Sequence, residues 1–373
     1  MTPVNPQAAL AEVVSSSHVV ICCGSGGVGK TTAAAVIALE AAHAGRRAVV
    51  VTIDPARRLA DALGLEGLTN EPSRIEGDWP GEMSALMLDT KRTFDGLVRR
   101  YSETPEQAER ILANTFYRNI SGALSGTQEY MASEKLYELA EEGDWDLVVV
   151  DTPPTRNALD FLDAPHRLAR FLDHRVYKIL MTPTRGIVKA ASVAAQAVVR
   201  SLSKVVGGEV IADAISFFQS FEGMEEGFKQ RAAHVDRLLA AAETAFILVA
   251  SPKADTVAEA GFFADKLSEH DIAVRGLVVN RMQPVFGAAD DGLALGPEAA
   301  RARSETLAGT DLGNQYRCLA DARQLARGEA ENLVGLTERV APAPVVLVEV
   351  QPFEVTDLDA LHRLGTIMFA APG

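Results

Sequence analysis

The sequence predicts an α/β fold in which a mostly parallel sheet is flanked by helices on both faces and interrupted by an inserted helical subdomain. Three observations lead there. Seven short apolar runs rich in Val and Ile lie at His18–Cys23, Ala48–Ile53, Ala85–Leu88, Leu147–Val150, Ala245–Ala250, Ala273–Val279 and Val345–Val350. They are too short for helices and lack polar alternation, as strands buried on both faces do. Helical patterns separate them, clearest at Thr31–Ala44, Thr256–Leu267 and Asp357–Phe369, the last two opening on Thr or Asp as N-cap residues. Finally, 91–143 and roughly 156–243 carry helical patterns with almost no strand signal and far exceed an ordinary crossover. These two stretches are expected to pack together as the helical subdomain.

Within the second insertion, Phe217, Phe218, Phe221, Met224 and Phe228 are spaced to share one helix face. Core packing and a groove for a hydrophobic client both fit that spacing. A third stretch, Gln283–Pro344, reads as irregular, with Gly287–Gly296 loop-like.

Composition narrows the partners. With 47% hydrophobic and 23% charged residues the chain is ordinary globular material, and 36 Lys plus Arg against 50 Asp plus Glu give a net charge of −14. Such a field repels phosphate backbones, so no nucleic acid is expected as partner. Met1–Val20 lacks a basic segment ahead of an apolar one and carries Glu12, so no secretory signal is expected. Gly186–Val206 is interrupted by Lys189, Arg200 and Lys204 and reads as an amphipathic helix rather than a membrane span. Three cysteines, Cys22, Cys23 and Cys318, allow neither a disulfide framework nor a C-x-x-C metal pair, which fits a reducing cytoplasm. The seven histidines show no ligand spacing such as H-x-x-x-H.

The sharpest local signal is Gly24-Ser25-Gly26-Gly27-Val28-Gly29-Lys30-Thr31, which satisfies G-x-x-x-x-G-K-[ST] between an expected strand and an expected helix. Small residues let successive N–H groups turn inward onto phosphate oxygens, and the helix N-terminus adds its positive dipole end. Lys30 is placed for the β- and γ-phosphates, the Thr31 hydroxyl for Mg²⁺ and Thr32 for the α-phosphate. Asp151 ends the strand Leu147–Val150, where a carboxylate holds Mg²⁺ directly or through its waters, and Thr152-Pro153-Pro154-Thr155 follows as a turn. Asp54 ends the strand after the loop helix, so both acids reach the same sheet edge. The expected fold is thus a P-loop NTPase. Residues 1–90, 144–155 and 244–373 form the nucleotide-binding core, and 91–143 with 156–243 the helical insertion.

These residues resemble the ArsA and Get-type ATPases, a branch of the SIMIBI P-loop class that also holds MinD and ParA. Gly24–Thr32 looks like the deviant Walker A, Asp54-Pro55-Ala56 like switch I, and Asp151–Thr155 like the signature after the Walker B strand. The resemblance implies that Asp54 orients the attacking water, that Asn280 contacts adenine, and that Pro352-Phe353 forms the adenine-side loop. It also implies ATP and Mg²⁺ as cofactors, slow turnover, a dimer, and a hydrophobic or membrane-protein client.

Four departures stand out. Ser25 replaces the second lysine of the deviant loop, which in the family crosses a dimer interface to the partner's nucleotide. Arg156-Asn157 replaces Gly-His; the C-x-x-C that pins targeting dimers with zinc is absent; and no arsenite-binding Cys triad exists. The missing lysine has two possible substitutes: a paralogous partner that retains one, or an internal arginine among Arg57, Arg58 and Arg156. The expected protein is a cytoplasmic switch ATPase, at most peripheral to the membrane. A non-catalytic nucleotide-binding subunit of a heteromeric complex and a MinD- or ParA-like positioning ATPase are the alternatives.

Overall fold

A computed structural model describes residues 5–120, 127–153, 160–173, 213–286 apart from 215, 218, 221 and 222, and 295–369. Helix α1 (Pro6–Ser16) leads into β1 (Val19–Cys23), the loop helix α2 (Lys30–His43), β2 (Arg47–Thr52), α3 (Arg58–Ala62), β3 (Ser73–Ile75) and β4 (Glu82–Met87). Then come α4 (Thr90–Tyr101), α5 (Pro105–Ala113), α6 (Thr115–Ile120) and α7 (Thr127–Tyr137), which continues as a π-helical turn over Glu138–Glu142. The chain returns to the sheet in β5 (Leu147–Asp151), adds α8 (Asp160–Asp173) and α9 (Glu225–Leu239), and re-enters it in β6 (Thr244–Ala250). After α10 (Ala254–Glu269) and β7 (Val274–Met282) follow α11 (Pro297–Thr306), α12 (Asp311–Val340), β8 (Val345–Glu349) and α13 (Leu358–Phe369).

The strands form one sheet in the order β3-β4-β2-β5-β1-β6-β7-β8, parallel throughout except for β3, which runs antiparallel on β4. Strand periodicity sorts the core into two layers. Val19, Ile21, Val49, Val51, Val148 and Val150 face a cluster with Leu97, Ile111, Tyr117, Met131, Phe228 and Phe263. Val20, Cys22, Val50 and Val149 face the other way, against the Ala-rich α2 and Leu361 and Leu364 of α13. Every residue of β1, β5 and β6 is buried, which accounts for their unbroken apolar runs. Each such Val or Ile contributes roughly 1.5–3 kcal/mol relative to exposure.

The described helices of the two insertions pack on one another, with α8 and α9 both lying against α7. Arg231 of α9 ties them: it donates to Glu134 at 2.8 Å and to Glu142 at 2.6 Å, with Glu134 and Arg231 side chains only 1% and 7% exposed. Phe217, Met224 and Phe228 are buried in the sheet-side core, so for these three the packing reading holds. Phe218 and Phe221 lie outside the described residues, as do Gly186–Val206, 154–159 and 287–294.

Three expectations need correction. The short antiparallel β3 was not foreseen, because Ser-Arg-Ile carries no apolar run. The stretch read as irregular holds a helical hairpin, α11 with the 30-residue α12. Thr256 is no N-cap: α10 starts at Ala254, and the Thr256 hydroxyl bonds back to the Ser251 and Lys253 carbonyls. Asp357 does cap α13, accepting from the Ala360 N–H at 2.8 Å. Among the described residues, no helix is long and apolar enough to cross a membrane.

Candidate nucleotide site

The site grows from the β1–α2 connection at the carboxyl edge of the sheet. Gly24 leaves β1 with φ 154°, and a Cβ there would sit 2.1 Å from the Val249 carbonyl oxygen. Gly29 precedes α2 in the left-handed region at φ 99°, where a Cβ would meet Asn280 Nδ2 at 2.4 Å. No side chain caps α2, so its first-turn N–H groups stay open to an anion.

Strand β7 braces this loop. Its pairing with β8 slips between Asn280 and Met282, leaving Arg281 as an extra residue at φ 62°. The bulge lets neighbouring side chains reach the same loop: Asn280 Nδ2 donates to the Val28 carbonyl at 3.0 Å and Arg281 Nη1 to the Gly27 carbonyl at 2.9 Å. Asn280 therefore touches the phosphate loop directly, and it lines a narrow cavity with Gly29, Thr32, Val348 and Leu364. Pro352 and Phe353 follow β8, the strand beyond β7, and the Phe353 ring lies 3.8 Å from the Arg363 guanidinium.

Lys30 is buried and folds back so that Nζ donates to the Ser25 carbonyl at 2.8 Å. Burial lowers its pKa, against the pull of the Asp151 charge. Thr31 Oγ1 donates to Asp151 Oδ2 at 2.8 Å, and Thr52 Oγ1 donates to the same oxygen at 2.9 Å. The other oxygen, Oδ1, is buried without a hydrogen-bond partner. Burial raises the Asp151 pKa to about 6 even though both threonines stabilise the carboxylate. An orphaned carboxylate oxygen beside a threonine hydroxyl is a hard, all-oxygen donor set, which fits Mg²⁺.

Asp54 is held from two sides. Its Oδ1 accepts from the Ala56 N–H at 3.0 Å and its Oδ2 from Arg58 Nη1 at 3.0 Å. Of the three candidate arginines, Arg57 turns away to the Glu66 carbonyl, Arg58 reaches the site, and Arg156 lies outside the described residues. Ser25 is buried and its hydroxyl has no partner. Cys22 and Cys23 are buried thiols, the latter pushed up to about 12 by burial and so kept protonated.

The structure thus brings Gly24–Thr32, Asp54 and Asp151 to one sheet edge, with Asn280 bonded to the phosphate loop. Thr52 and Arg281 join the site without having been expected there, as does Gln128, whose Nε2 donates to the Ile53 carbonyl at 3.0 Å, joining α7 to the residue before Asp54. Thr52, two residues before Asp54 on a strand expected to end at this edge, carried a readable signal. The other two are placed by tertiary structure alone.

Comparison with known proteins identifies the family. The chain is 29% identical to "ATPase GET3" of Malassezia globosa over 145 residues, covering 39% of this chain and 41% of that protein. It is 25% identical to "ATPase ASNA1 homolog" of Dictyostelium discoideum over 258 residues, covering 68% and 69%. It is also 32% identical to "Protein Rv2184c" of Mycobacterium tuberculosis over 157 residues, covering 39% and 37%. The chain therefore matches less than half the length of the first and third. The profile of the family described as "Anion-transporting ATPase" matches residues 17–291, a span that takes in the phosphate loop, both carboxylates and Asn280. That match, over a site assembled as described, makes the chain a member of the anion-transporting ATPase family.

Proposed function

We propose that the protein is an Mg²⁺-dependent ATP-hydrolysing switch of the ArsA and Get type, turning ATP and water into ADP and phosphate slowly. The observation that carries this reading is the convergence of Lys30, Thr31, Asp54 and Asp151 around one glycine loop. The loop amides and Lys30 bind and neutralise the phosphates. Thr31 and Asp151 would hold Mg²⁺, which when bound supplies further charge neutralisation on the phosphate oxygens. Asp54 orients water for in-line attack, the role that the family resemblance assigns to this position. To do so its Oδ2 must exchange Arg58 for water, which frees the guanidinium for the developing phosphoryl charge.

Nucleotide state would pass to the helical insertion, residues 91–143 and 156–243, through Gln128 at the Ile53 carbonyl. We place the protein in the cytoplasm, at most peripheral to the membrane, as a dimer serving a hydrophobic or membrane-protein client. "ATPase GET3" and "ATPase ASNA1 homolog" are the relatives behind the family part of this reading.

Ser25 favours a second reading of the assembly. Short, uncharged and buried, it cannot reach a second nucleotide, so a paralogue carrying lysine would complete this site in a heteromer. A single-turnover ATP assay on the purified chain with Mg²⁺, alone and with whatever paralogue co-purifies from its host, tests both. Hydrolysis by the chain alone supports the internal arginine, hydrolysis only with the paralogue supports the heteromer, and no hydrolysis in either case refutes the ATPase.

A further inference from the structure

We propose that Glu40, His43 and His362 form a site for a zinc-class divalent cation that ties the phosphate-loop helix α2 to α13. One ligating atom of each lies within 4.8 Å of the others. Glu40 and His43 are three residues apart near the end of α2 and so share a helix face. His362 comes from α13, which packs on α2.

Two features point to a bound cation rather than a surface ion pair. Glu40 Oε1 is buried with no hydrogen-bond partner, and His362 Nδ1 stands 3.7 Å away, beyond hydrogen-bond reach. Opposite that oxygen α13 carries Gly365, where a Cβ would intrude to 2.3 Å. The helix surface is thus hollowed where the carboxylate sits. The His43 ring is held edge-on by Trp79 with centroids 5.7 Å apart, and the His362 ring tilts against it at 4.6 Å.

Two imidazole nitrogens and one carboxylate oxygen suit Zn²⁺ and its neighbours, whereas Mg²⁺ prefers oxygen alone. Tetrahedral Zn²⁺ at 2.0–2.2 Å from its ligands places donors roughly 3.4 Å apart. Closing to that spacing needs small side-chain rotations, which the exposed His362 is free to make. Water would take the fourth position. The site stands about 15–20 Å along α2 from Lys30, at 1.5 Å per residue, so it is distinct from the Mg²⁺ position.

The test titrates tag-free, full-length, nucleotide-free protein with Co²⁺ as a spectroscopic probe and follows Zn²⁺ by calorimetry. The proposal expects one equivalent of Co²⁺ with the visible absorption of imidazole-bound cobalt, displaced by Zn²⁺ and not by Mg²⁺. That absorption should vanish in His43→Ala and His362→Ala and persist in Asp151→Asn and His234→Ala. Zn²⁺ should raise the Tm of the parent protein and leave that of His362→Ala unchanged, and because His362 is exposed this variant is expected to fold. Absence of the band in the parent protein, its survival in His362→Ala, or its loss in Asp151→Asn overturns the proposal.

Discussion

Arg58 Nη1 donates to Asp54 Oδ2 at 3.0 Å, so the carboxylate assigned to orient water is held by a guanidinium four residues along the chain. The Arg58 side chain is 57% exposed, and an ion pair of that kind adds under about 1 kcal/mol to stability. Its importance is positional. The Lys30 pKa is lowered chiefly by burial and further by the positive charge of Arg58, and it is the bond to Asp54 that holds the guanidinium at the site. Arg58→Ala is expected to slow single-turnover hydrolysis on the order of 10²-fold while ATP affinity changes little, and Arg58→Lys to restore part of the rate. An unchanged rate would reduce Arg58 to a surface ion pair.

The Asn280 brace should set nucleotide affinity. Asn280→Ala removes the bond to the Val28 carbonyl and is expected to cost about 1 kcal/mol of loop order, a several-fold loss in affinity for a fluorescent ATP analogue. Gly29→Ala should be far worse, because it clashes with Asn280 and also strains a left-handed backbone. Combining the two substitutions relieves the clash and keeps the strain, so the double variant should bind better than Gly29→Ala and worse than Asn280→Ala.

Asp151 makes the protein free of metal and nucleotide sensitive to pH. Its folded pKa of about 6 exceeds the unfolded value of roughly 3.9, so the folded state binds more protons between them. Stability from this group is full below about pH 4 and is lost as pH rises through about 6, a loss on the order of 2–3 kcal/mol. Asp151→Asn carries no charge to bury. In EDTA it should therefore melt above the parent protein near pH 7.5, with the gap shrinking toward pH 4.5, while Mg²⁺-dependent ATP binding is lost. A gap that does not change with pH contradicts the assigned cause.

Among the described residues, a buried charge network centred on Arg231 ties the insertions together. Arg231→Ala strands Glu134 without its guanidinium in a site that is 1% exposed, and should destabilise the protein by about 3–5 kcal/mol. Chemical denaturation gives the number. Replacing both partners at once with apolar residues of similar volume should recover much of the loss.

Much of this arrangement could be read from residue order. The Val- and Ile-rich runs marked seven of the eight described strands; β1, β5 and β6 are buried on both faces, whereas the edge strand β8 leaves Leu347 exposed and was marked by its apolar run alone, and a glycine loop between a strand and a helix has few other uses. Helix α12 escaped notice because its buried positions are largely small or polar, Gly313, Ala320, Arg323 and Ala326 among them, which mutes the apolar periodicity. The Arg281 brace depends on a bulge that exists only once β7 pairs with β8. His362 lies too far along the chain from Glu40 and His43 for any local spacing rule to join them.

The most direct test of the account is single-turnover hydrolysis of ATP by Asp54→Asn, with nucleotide binding measured on the same protein. Asp54 lies outside the phosphate loop, and asparagine can still accept from the Ala56 N–H, so ATP affinity should stay within a few-fold. The hydrolysis step should fall on the order of 10²-fold or more, as expected when the group orienting the nucleophile is removed. Hydrolysis at the parent rate, with ATP bound normally, would contradict the assignment of Asp54 and with it the proposed switch.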